Sequence, residues 1–115
     1  MPAKNKKEYA AEHYKNNAEA YKKSLQDRRL RNQQWFFEKR KDSCCQNCGL
    51  KDFRCMEFHH LRDKEFEIWY GVHKAYSIAR LETEIAKCES LCANCHRVLH
   101  YEDTCLWYKK IESMQ

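Results

Sequence analysis

Two kinds of metal-binding side chain occur here at short, regular spacings. Cys45-x2-Cys48 and Cys92-x2-Cys95 form two CxxC knuckles, 43 residues apart. Zinc favours tetrahedral thiolate sites, and structural sites commonly draw on two such pairs. A two-residue gap lets both sulfurs turn inward while backbone N–H groups point at them. The pairs therefore predict one structural zinc clamping two distant elements. Cys44 stands beside Cys45 as its rival for the metal, and Cys55, Cys88 and Cys105 are left as free thiols.

The second kind is histidine. His96 and His100 are spaced i, i+4, on one face of a helix that starts at the second knuckle. Two imidazoles so placed can hold one cation. His59, at the end of a predicted strand, would complete a three-ligand site with positions open to water and substrate, as in catalytic sites. His60 is the neighbour of His59 on that strand, so the two side chains diverge. That suits two jobs: one histidine on the metal, the other accepting a proton from water.

These residues must be positioned by a small chain. Its 115 residues suit one domain, and two glycines and one proline argue against a loop-rich fold. Small domains bury little of their surface and often need a staple. With a mean hydropathy of −1.00, no apolar run approaches the roughly 20 residues of a membrane span. The lysines of residues 1–7 have no apolar segment behind them. A secretory signal is therefore not expected, and the eight cysteines read as reduced or metal-bound thiols in a cytoplasmic protein.

The segment 4–42 lacks Gly and Pro and is rich in helix formers. Tyr14, Ala18, Tyr21 and Leu25 make a thin helical stripe, and Trp35-Phe36 offers a docking point. One long helix or two shorter ones fit. Cys55–His60 reads as a strand. Residues 61–73 are ambiguous, with Gly71 as the expected break. Ser77, Ile78, Leu81, Ile85 and Cys88 form a helical stripe, and the chain from Ala93 onward is helical by composition, with Asp103-Thr104 a candidate interruption. The division expected is a basic helical arm, 1–43, and a metal-stapled α+β domain, 44–115. The arm carries a net charge of +6 and the rest −1. That asymmetry points to an anionic partner, with nucleic acid first. Arg28, Arg29, Arg31, Lys39, Arg40 and Lys41 are its candidate phosphate contacts, and the tyrosine stripe offers a homodimer contact instead.

The knuckles, "EFHH" and "KCESLCANCHRVLH" together resemble the HNH endonucleases, over about residues 45–101. The resemblance implies a ββα-metal fold of the kind common in phage and bacteria, the host cytoplasm being the setting if phage-encoded. It implies metal-dependent hydrolysis of DNA phosphodiester bonds. It makes His59, His96 and His100 ligands of a catalytic divalent metal, His60 the general base, and Cys45, Cys48, Cys92 and Cys95 the zinc ligands. Arg97, beside His96, would touch a flanking phosphate. Three imidazoles would accept Zn²⁺, Ni²⁺ or Mn²⁺ as well as Mg²⁺. One position departs from the pattern. The family's middle asparagine, which braces the loop behind the base, falls on Lys87, nine residues before His96. Either Lys87 braces by donating to carbonyls or the loop is held differently. The rival class is a non-catalytic zinc-finger module that binds nucleic acid.

Overall fold

The computed structural model describes residues 5–104 and 106–115. Cys105 lies outside the described residues. The protein is mixed α and β: helices surround one small antiparallel sheet. No described helix is long and apolar enough to cross a membrane.

The long N-terminal pattern is one helix, α1, Lys6–Lys41. Asn5 caps it: its side-chain oxygen accepts from Glu8 N–H at 2.9 Å, and the Glu8 carboxylate accepts from Asn5 N–H. Lys39, Arg40 and Lys41 sit in its last turn, where the helix dipole favours cations. Tyr9, Tyr14 and Tyr21 are exposed, so the first part of α1 projects into solvent.

The last third of α1 is built into the domain. Asn32 is fully buried, and its Nδ2 donates to the carbonyls of Tyr76 at 2.9 Å and Val72 at 3.4 Å. Trp35 Nε1 donates to Glu82 Oε1 at 2.6 Å, and the Phe36 ring meets Phe58. The docking expected of Trp35-Phe36 is thus present.

A 3₁₀ turn, Phe53–Cys55, leads into β1, Met56–His60. Cys55 therefore belongs to the turn rather than the strand. Helix α2 is Ile68–His73 and α3 is Ile78–Ile85. Strand β2, Cys88–Cys92, follows, then α4, Ala93–Thr104, and α5, Leu106–Ser113. β1 and β2 pair antiparallel, with Met56 opposite Cys92 and His60 opposite Cys88.

Two further expectations need correction. Gly71 is no break; it lies inside α2 and is buried. A Cβ there would come 2.6 Å from Phe66 Cε2 and 2.8 Å from Leu81 Cδ2, so glycine allows the helix to sit on those side chains. The helical stripe expected to reach Cys88 ends at Ile85, and Cys88 opens β2. The ladder with β1 takes over there, which no local period announces.

The core has two parts. Cys45, Met56, Leu91 and Cys92 form one cluster. Phe66, Ile68, Val72 and Leu81 form the other, packed with Trp35, Phe36 and Phe58.

Candidate metal centre

The first knuckle is shaped by its own backbone. Gly49, at φ +78°, turns the chain so that its N–H reaches Cys45 O at 2.9 Å. Gln46 N–H donates to Ser90 O and ties this turn to β2. The second knuckle spans the end of β2 and the first turn of α4. In both, the backbone N–H of the second cysteine points at the sulfur of the first: Cys48 N to Cys45 Sγ and Cys95 N to Cys92 Sγ, each 3.4 Å.

The four sulfurs of Cys45, Cys48, Cys92 and Cys95 lie within 4.8 Å of one another. Cys48 Sγ and Cys92 Sγ are 3.7 Å apart. Tetrahedral zinc–sulfur bonds of about 2.3 Å place sulfurs about 3.8 Å apart, so the donors fit a zinc ion. Cys45, rather than Cys44, joins this cluster. Asn47 Nδ2 donates to Cys95 Sγ at 3.3 Å. Backbone N–H groups, that of Cys48 foremost, lower the Cys45 thiol to about 6. Asn47 pulls Cys95 down, but the thiols of Cys92, Cys45 and Cys48 and burial outweigh it and push Cys95 up to about 12. Four thiolates so close repel one another, and a cation in their midst relieves this while releasing protons.

The second cluster grows from the same start of α4. His96 and His100 lie one turn apart, with ring centroids at 4.5 Å, and His59 reaches them from β1. His59 Nδ1 is 3.3 Å from His96 Nε2, and His100 Nε2 is 2.9 Å from the same atom. Nitrogens bound tetrahedrally at about 2.0–2.1 Å would be about 3.4 Å apart, so the three also fit one cation. Burial, then the neighbouring His96, lowers the proton affinity of His59 and favours the neutral ring that a metal needs.

Glu57 belongs to this cluster. Two residues before His59, it projects from the same face of β1, and its Oε2 accepts from His96 Nδ1 at 2.6 Å. That hydrogen bond fixes the proton on Nδ1 and leaves Nε2 free for metal, the arrangement in which a carboxylate orients a ligating imidazole. Its position two residues before a histidine was the available signal. A recess of about 250 Å³, lined by Glu57, Ala93, His96, Arg97 and His100, opens beside the cluster.

His60 leaves β1 on the other side. Its Nε2 lies 3.0 Å from Glu84 Oε1 of α3. Lys87 takes the first of the two courses open to it: its Nζ donates to Asp63 O at 2.9 Å and to Glu84 Oε2 at 2.9 Å.

The basic residues divide into two groups. Arg29 Nε donates to His73 O at 2.8 Å, and Arg31 donates to Asn32 Oδ1 and Tyr76 O. Lys39 pairs with Glu82 at 3.1 Å, and Arg40 lies over the Phe36 ring and donates to Arg54 O. These four side chains help dock α1. Arg28, Lys41 and Arg97 are exposed, and Arg28 Nε donates to Ser24 O of its own helix. Against protein-family models, curated proteins and solved structures, nothing matches this chain.

Proposed function

We propose that the protein is a metal-dependent DNA endonuclease of the HNH kind, hydrolysing phosphodiester bonds with one catalytic cation on a zinc-stapled ββα core. The observation that carries this reading is the convergence of His59 Nδ1, His96 Nε2 and His100 Nε2 at the start of a helix beginning at the cysteine cluster. Strand β1 and the helix that follows β2 supply the three imidazoles, as the sequence resemblance implies.

In this reading Cys45, Cys48, Cys92 and Cys95 hold a structural zinc. A divalent cation held by the three histidines (Mg²⁺, Mn²⁺, Ni²⁺ or Zn²⁺) supplies Lewis-acid charge to the scissile phosphate. Glu57 keeps His96 in its ligating tautomer. Arg97, on the rim of the recess, contacts a flanking phosphate. His60 takes the proton from the attacking water. The projecting part of α1 carries lysines along the duplex backbone, which adds affinity without base readout.

The test is cleavage of supercoiled plasmid with each of these four cations, with EDTA as control, for the parent, His60→Ala and His96→Ala. His60→Ala is expected to keep both metals and DNA binding while turnover falls about 10²–10⁴-fold. His96→Ala is expected to lose the second metal and activity together, keeping the zinc. If His60→Ala cleaves like the parent, the roles are misassigned. If none of the four cations supports cleavage by the parent, a non-catalytic zinc-bound module that binds nucleic acid replaces this reading.

A further inference from the structure

Glu84 is a buried carboxylate on α3, 1% exposed, and the endonuclease reading above gives it no role. A buried charge is costly unless its oxygens are matched by donors. Here they are. Oε1 accepts from Glu65 N–H at 2.9 Å and stands 3.0 Å from His60 Nε2, and Oε2 accepts from Lys87 Nζ at 2.9 Å. Lys87 is itself half-buried, and the same Nζ reaches Asp63 O at 2.9 Å. Its backbone carbonyl accepts from Leu61 N–H at 2.9 Å. The chain leaving His60 is therefore tied at Leu61, Asp63 and Glu65 to two residues three apart on the far side of the sheet connection.

We propose that Glu84 is the positioning residue for His60, and that Lys87 locks Glu84 and the 61–65 segment behind it. An ionised carboxylate only accepts, so the hydrogen bond requires the proton of His60 to sit on Nε2. Nδ1 then carries the lone pair. It has no hydrogen-bond partner among the described residues, and the His60 side chain is 9% exposed. A fixed carboxylate behind an imidazole sets its tautomer and stabilises the imidazolium formed when it takes a proton. The carboxylate stays ionised: burial alone would raise it, but Lys87 and the N–H groups of Glu65 and Phe66 outweigh burial and bring it to about 2. The assignment rests on the endonuclease reading for the meaning of His60, but its geometry can be tested without cleavage.

The experiment is long-range ¹H–¹⁵N NMR of the zinc-bound full chain, labelled at histidine, with His60→Ala to assign the signal. The neutral His60 ring is expected as the Nε2–H tautomer. Glu84→Gln is expected to mix the tautomers and to lower kcat about 10²-fold or more, with KM and second-site cation affinity unchanged. Lys87→Gln is expected to lower kcat by a smaller factor, again at constant KM. An Nδ1–H ring in the parent overturns the proposal, even where Glu84→Gln does not fold. So does a Glu84→Gln protein with the parent's tautomer and kcat. A parent with the Nε2–H ring and no cleavage keeps the positioning geometry and removes the endonuclease reading instead.

Discussion

The cysteine and histidine clusters begin on the same turn of α4, yet they are built differently. Cys45 and Cys92 are buried, and backbone N–H groups aim at both sulfurs from within their own knuckles. The chain itself offers four candidate donors there. The histidine cluster has three donors, one of them exposed, and a recess at its side. Its alignment comes from a distant carboxylate, Glu57, rather than from local backbone. The first arrangement could hold an ion between two segments of chain; the second has three donors with open space beside them. One helix start serves both because Cys95 and His96 are adjacent, about 100° apart around the helix.

The strongest test of that contrast is to open the closed site. Cys48→Ser is expected to remove about one equivalent of zinc and abolish cooperative unfolding, since the small core around Met56 and Leu91 has little else to hold the two knuckles together. Metal analysis and thermal denaturation check this. Retained zinc with a normal transition would show that the cysteines do not form the staple.

An intermediate effect is expected at Glu57. Glu57→Gln should weaken the second cation about 10–100-fold, the usual scale for losing a partner behind a ligand, while zinc content and melting stay as in the parent. Isothermal titration with Mn²⁺ or Ni²⁺ reads this directly. Equal affinity in both proteins would mean that the 2.6 Å hydrogen bond to His96 does not orient the ligand.

The smallest effect on either cluster should follow from shortening α1. Residues 1–26 carry six Lys and three Glu, and removing them spares Arg29, Asn32 and Trp35, which dock the helix. Both metals and the melting transition should be unchanged. Affinity for DNA should fall, and its dependence on log salt should flatten by about 0.9 for each phosphate that the shortened protein no longer neutralises. An unchanged slope in a salt titration would return this stretch to a solvated face or to an interface between two copies.

The knuckles, the i, i+4 histidines and the divergence of His59 from His60 were legible because each depends on covalent spacing within one turn or one strand. The long helix was legible for the same reason: its propensities sum over many residues without interruption. Strand β2 was not. Cys88–Cys92 is five residues long, and the stripe Ile78, Leu81, Ile85 points at Cys88 as a fourth helical position. Only pairing with β1, across the register His60 to Cys88, makes it a strand. Gly71 misled for a related reason: a glycine permits a break, and only the close approach of Phe66 and Leu81 turns it into a packing residue.

Among basic residues, sequence showed where positive charge is concentrated but not which side chains would be used inward. Arg29, Arg31, Lys39 and Arg40 hold carbonyls, rings and a carboxylate of the same chain. Glu84 and Asn32 were unreadable as more than ordinary polar residues, since a lone Glu or Asn has no local signature, and Glu57 was signalled only by its place two residues before His59. Sequence by itself determined which donors exist and which neighbours they have along one turn or one strand. Tertiary structure decided which carboxylate stands behind which imidazole: Glu57 behind His96, 39 residues away, and Glu84 behind His60, 24 residues away. Such pairings depend on the crossing of a sheet and two helices, and on the cost of leaving a buried charge without a donor, neither of which short-range spacing encodes.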